Sequence, residues 1–129
     1  MATTVTTIYD KDWETLAWVQ CSGAESAQTV FDASGLRGAD TNPRLGITLL
    51  EWNAGAVSTS IAIIADATSD DTLMTVYGTG KMNHPNFKLL NPESTGCTGD
   101  ILVTTSAAVN FLIRAVKTSG YGSGIQAYN

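Results

Sequence analysis

The chain carries one histidine, His84, so any Ser-His-Asp or Cys-His arrangement would have to be built around it. Such a nucleophile is weak until a neighbouring base takes its proton. His84 sits in Gly80-Lys81-Met82-Asn83-His84-Pro85-Asn86-Phe87, a proline-containing loop flanked by asparagines, where a solvated imidazole is expected. Gly122-Ser123-Gly124 lacks the spacing of a nucleophile elbow and has no strand-to-helix turn to hold it. The run Thr75-Val76-Tyr77-Gly78-Thr79-Gly80-Lys81-Met82 superficially resembles a phosphate loop. Thr75 stands where the first glycine would be, Met82 where a Ser or Thr would follow the lysine, and no helix comes next. A glycine-rich turn after a strand is the simpler reading.

Three carboxylates in Asp66-Ala67-Thr68-Ser69-Asp70-Asp71 could offer oxygens to a hard cation, which wants six to eight of them. The spacing and closing glutamate of a calcium loop are missing, and Asp and Ser are good turn formers. The segment reads as a structural turn, with a weak cation site as the alternative. No Cys/His spacing suits zinc, and nothing in the scattered acids shows two converging for glycoside hydrolysis. Cys21 and Cys97 form no CxxC pair; they read as two small buried thiols, with one long-loop disulfide as the alternative. No cofactor, metal or catalytic set is expected, and the chain reads as a non-enzyme. Trp13, Trp18 and Trp52 could stack on sugar rings if exposed, or pack a core if buried.

The elements that would position these residues belong to one domain of 129 residues and 13.6 kDa. With 43% hydrophobic and 15% charged residues, the chain can bury a core and does not have a disordered composition. A net charge of −5 argues against a phosphate-backbone partner, so no nucleic acid is expected. The opening MATTVTTIYDKDW has neither a basic nor an apolar leader region, and no apolar run approaches bilayer length. No membrane partner is expected, and the protein is placed in the cytoplasm or in a particle assembled there.

Strand signals dominate. In residues 57–66, Val57, Thr59, Ile61, Ile63 and Ala65 alternate with Ser58, Ser60, Ala62 and Asp66, with Ile64 as the exception. In the segment from Val109, the residues Val109, Phe111, Ile113 and Ala115 share one face, with Leu112 and Val116 mismatched on the other. Further strands are predicted at 5–9, 14–21, 27–31, 46–52, 72–77 and 101–105, with one helical turn near 32–36. About eight short strands without an intervening helix predict an all-β, antiparallel β-sandwich, jelly-roll-like in connectivity. Its limits are set at 13–118, between a flexible N-terminal arm at 1–12 and a flexible C-terminal arm at 119–129.

Two strands are apolar on both faces. Alternation sets Ile47 and Leu49 against Leu50 and Trp52, and Ala17 and Val19 against Leu16 and Trp18. A sandwich buries one face of each sheet, so the second face is either scattered surface apolar residues or is covered by a loop or another subunit. Trp13, Tyr121, Ile125 and Tyr128 are the candidate partner contacts, the last three anchoring an arm that orders on a partner.

The order of features resembles a family of small virion structural proteins of tailed bacteriophages. The resemblance rests on Trp18-Val19, Glu25-Ser26, Phe31-Asp32-Ala33-Ser34-Gly35-Leu36 and a strand ending in Glu51-Trp52. It continues with Ile64-Ala65-Asp66-Ala67-Thr68-Ser69-Asp70-Asp71, Asn91-Pro92, Gly99-Asp100-Ile101-Leu102-Val103-Thr104-Thr105 and Val116-Lys117, spanning residues 13–117. It implies a capsid decoration (cement) protein on the virion surface that binds copies of itself, as a trimer, and the major capsid protein. A tail or neck component and a carbohydrate-binding module on the virion are the alternatives. The family has no active site to transfer, and residues beyond Lys117 extend past its pattern.

Overall fold

A computed structural model describes residues 2–83 and 88–122. It contains ten strands and one 3₁₀ turn: β1 Thr3–Asp10, β2 Glu14–Cys21, β3 Glu25–Phe31, the turn Ala33–Gly35, β4 Ala39–Ala54, β5 Ser60–Ala65, β6 Asp71–Tyr77, β7 Thr79–Asn83, β8 Leu89–Leu90, β9 Ile101–Thr105 and β10 Val109–Tyr121. They form two antiparallel sheets. One runs β1-β2-β10-β4-β7 with β8 also on β4; the other runs β3-β9-β5-β6. The fold is the predicted all-β sandwich.

The core lies between the sheets. Val109, Phe111, Ile113 and Ala115 of β10 point inward beside Ala17, Val19 and Cys21 of β2, and meet Ile61, Ile63, Ile101 and Val103 of the facing sheet. Phe111, Ile113, Ile61 and Ile63 are completely buried, and each such side chain contributes about 1.5–3 kcal/mol by leaving water. Alternation alone accounts for this interior.

One irregularity changes the expected facing of β4. Arg114 lies opposite Leu49 and Ala115 opposite Ile47, so Thr48 is the extra residue of a bulge. The bulge reverses the parity of the strand. Leu45 and Ile47 before it and Leu50 and Ala54 after it all join the core, with Trp52 packed against them. Ile47 therefore groups with Leu50, and Leu49 takes the outer face. Thr48 is itself buried, and its hydroxyl oxygen accepts a 3.0 Å bond from Arg114 Nε.

Residues 3–10 and 119–121 lie in strands. Residues 3–10 pair along β2, as the strand signal at 5–9 predicts, and 119–121 continue β10 against β4. The β-branched run Thr3-Thr4-Val5-Thr6-Thr7-Ile8 suits an edge strand better than a tether. Val57, assigned by alternation to a buried face, is 88% exposed in the turn before β5. Ile64, the exception in that pattern, follows a register shift between Ile63 and Ile64.

Candidate binding surface

The outer face of the six-stranded sheet can be read as rows across its register. One row is Thr4, Gln20, Asn110, Asn53 and Thr79; the next is Thr6, Trp18, Leu112, Glu51 and Lys81; a third is Tyr9, Leu16, Arg114, Leu49 and Asn83. Amides, an indole and one ion pair thus stand side by side on adjacent strands. A shallow trough of about 530 Å³ opens here, lined by Trp18, Asn110, Glu51, Trp52, Asn53, Thr79, Gly80 and Lys81. Asn53 Oδ1 accepts the Thr79 hydroxyl at 3.0 Å. Glu51 and Lys81 are exposed and 3.8 Å apart, a pairing worth little to stability in water.

The β7 wall of the trough depends on a glycine. A Cβ on Gly80 would fall 2.6 Å from Trp52 Cζ2, so only glycine lets β7 lie against β4 beside that ring. The Trp52 indole N–H donates to the Tyr77 carbonyl at 3.1 Å. Gly78-Thr79-Gly80-Lys81 therefore turns into a strand and not into a helix N-terminus. On the far row, the Tyr9 hydroxyl donates to Glu14 Oε2. Partial burial and that bond push the Tyr9 hydroxyl up to about 12.

A second polar cluster lies at the corner where β10 passes the β1–β2 turn. Lys117 is buried, with its side chain 1% exposed. Its ammonium donates to Asp10 Oδ1 at 2.6 Å and to the carbonyls of Lys11 and Arg37 at 2.6 and 2.8 Å. All three donors are used. The Tyr121 ring centroid lies 5.2 Å from the same ammonium, and the Tyr121 hydroxyl donates to Ala33 O at 2.9 Å. Burial, then the nearby carboxylates of Asp10, Asp100 and Asp32, push the Tyr121 hydroxyl above its ordinary range.

The four candidate contacts therefore divide. Trp13 is 44% exposed at the β1–β2 turn, in a shallow depression with Asp10, Lys11, Asp12 and Arg37. Tyr121 packs against the core with its hydroxyl on Ala33 O. Ile125 and Tyr128 lie outside the described residues, as does His84.

The acidic turn is held by its own chain. Asp70 Oδ1 accepts the Ala67 N–H at 3.1 Å, and Asp66 Oδ2 accepts the Thr98 hydroxyl at 2.7 Å. Among the described residues no three His, Cys, Asp or Glu side chains gather as a metal would need. Cys21 and Cys97 are both free thiols. Burial pushes the Cys21 thiol up. Cys97 is only half-buried, with its sulfur 3.1 Å from Arg44 Nη2, so the expectation of two buried thiols holds for Cys21 alone.

Apart from Trp18 and Trp52, named in the sequence as rings that could stack on a sugar, the trough residues were missed because they are spread over four strands. A signal exists: the outward positions of β2, β4 and β10 hold Trp18, Gln20, Glu51, Asn53 and Asn110. Joining them requires the register between strands, which no single strand encodes. No protein-family model, curated protein or solved structure matches this chain.

Proposed function

We propose that this chain is a non-enzymatic structural protein of a tailed-bacteriophage virion, a decoration protein that binds the outside of the head and stabilises the shell. The observation that carries the reading is the free edge of the six-stranded sheet. Among the described residues strand β1 ends the sheet, and from Thr3 to Tyr9 it holds no charge, proline or glycine. Ile8 is 52% exposed along it and Trp13 44% exposed at its end. Sheet edges in monomeric proteins are blunted by charge, proline or bulges, because unpaired N–H and C=O groups recruit other strands. Here only the bulge between Thr7 and Tyr9 interrupts the edge, leaving a stretch suited to pairing with another chain.

On this reading the β1 edge of each copy pairs with a different edge of the next, closing the copies head to tail into a ring, a trimer by the family resemblance, and the ring docks on the major capsid protein. Binding to the assembled shell alone stabilises it by RT ln(1 + c/Kd) at free concentration c, and a ring engages the lattice through several linked contacts.

The test is the solution mass of the full chain by light scattering, with co-sedimentation on purified phage heads. Wild-type protein is expected as a trimer that sediments with heads, and Ile8→Lys as a folded chain of lower mass that does not. A wild-type monomer that ignores heads contradicts the reading. Sedimentation with tails instead of heads moves the protein to another address on the particle and overturns the decoration role.

A further inference from the structure

We propose that the trough on the outer face of the six-stranded sheet is a binding site for a neutral oligosaccharide. The site spans β2, β10, β4 and β7, with Trp18 of β2 as its wall nearest the β1 edge. Its volume of about 530 Å³ falls inside the roughly 300–1,000 Å³ of small-ligand sites. From β2 to β7 it crosses three strand spacings, about 14 Å, which is enough for more than one sugar ring.

The chemistry selects the ligand. A pyranose has an apolar C–H face and a rim of hydroxyls that both donate and accept. The indole of Trp18, which lines the trough, is the kind of ring on whose electron-rich face such C–H groups stack. Asn110 and Asn53, directly opposite one another, each carry two amide donors and a carbonyl acceptor, which match a hydroxyl in either sense. The Thr79 bond occupies the carbonyl oxygen of Asn53 and leaves its N–H groups to donate. Glu51 adds a carboxylate that accepts from two neighbouring hydroxyls.

Charge and desolvation exclude the main rivals. Glu51 and Lys81 oppose each other at 3.8 Å, so the trough has no net charge to attract a phosphate or a nucleic acid. A second copy seated flat on this face would bury the amide row against a protein surface, and each unmatched amide costs about 1–3 kcal/mol. A hydroxylated ligand satisfies the same groups.

The test is an array of immobilised neutral glucans, mannans and galactans, followed by titration of the best binder in solution. Expected is retention of at least one neutral glycan, little weakened by added salt. Trp18→Ala and Asn110→Ala should each lower affinity by about tenfold or more. Should Trp18→Ala unfold, Asn110→Ala and Trp18→Phe carry the test, since neither removes a core side chain. No glycan retained by folded wild-type protein, binding only to anionic glycans, or equal affinity in the Trp18 and Asn110 variants overturns the proposal. So does a fall in solution mass on Trp18→Ala without glycan binding, which would assign the face to a second copy. Light scattering of Ile8→Lys separates this outcome from failure of the edge-pairing reading.

Discussion

The Lys117 corner and the Trp18 trough are both polar places on the same six-stranded sheet, and they treat polarity in opposite ways. At the corner, each ammonium hydrogen meets an oxygen of the chain, and Tyr121 closes the arrangement by bonding Ala33. At the trough, amides and a carboxylate stand in a row facing outward, and the ion pair there is loose and exposed. A buried charge is tolerable only when fully matched, so the corner is a fastening. An open row of donors and acceptors beside an indole gains its matches from outside, so the trough is a place for a ligand. Polar residues on one β-sheet thus divide by whether their partners are internal.

The largest effect that would break the comparison is at the fastening. Lys117→Ala removes the cation from Asp10 and two carbonyls, and should destabilise the fold by about 3–5 kcal/mol. Urea denaturation should show a lower midpoint with an unchanged slope. A loss under about 1 kcal/mol would mean the corner is not what closes the sheet onto the β1–β2 turn.

A smaller effect is expected on raising pH. The Tyr9 hydroxyl is held up to about 12, above its ordinary value of 10.0. The folded state therefore keeps this proton where the unfolded chain loses it. The associated stability is fully present below pH 10, and falls as pH rises from there to about 12. Thermal melts across that window should fall less steeply in Tyr9→Phe. Tyr121 contributes in the same direction, so Tyr9→Phe should flatten the slope without abolishing it.

Tyr121→Phe sharpens the contrast further. It deletes only the bond to Ala33 and should cost about 0.5–1.5 kcal/mol. The smallest stability effect belongs to the trough: Asn110→Ala should change unfolding by no more than about 0.5 kcal/mol, even as it lowers glycan affinity. A stability loss there equal to that of Tyr121→Phe would erase the distinction between the two regions.

Much of the fold was legible because strands announce themselves by alternation. All eight predicted strands and the turn near 32–36 have counterparts in the structure. Two strands were not legible. Gly78 and Gly80 read as a break before β7, whereas Gly80 is there so that the strand can pass Trp52. β8 is only Leu89–Leu90, too short for a period. The bulge at Thr48 is invisible for another reason: a run apolar at every position looks the same whether or not its parity shifts. The corner was not legible, because alternation has no bearing there. Lys117 closed the family-like segment, with nothing to mark it as buried, and Tyr121 looked like the anchor of an arm, although its hydroxyl and ring are spent inside the molecule. Trp13 needed no register to be noticed as a displayed aromatic, since it stands at a turn.

The central claim is that this chain acts by sitting in numbers on a viral shell. If, as proposed, a tailed phage encodes the chain, quantitative mass spectrometry of that phage's purified particles asks this directly. The account predicts the chain in the particles at a fixed ratio to the major capsid protein, stripped from them by Ile8→Lys. Its absence from gently purified particles, with the protein left in the lysate, would contradict the account.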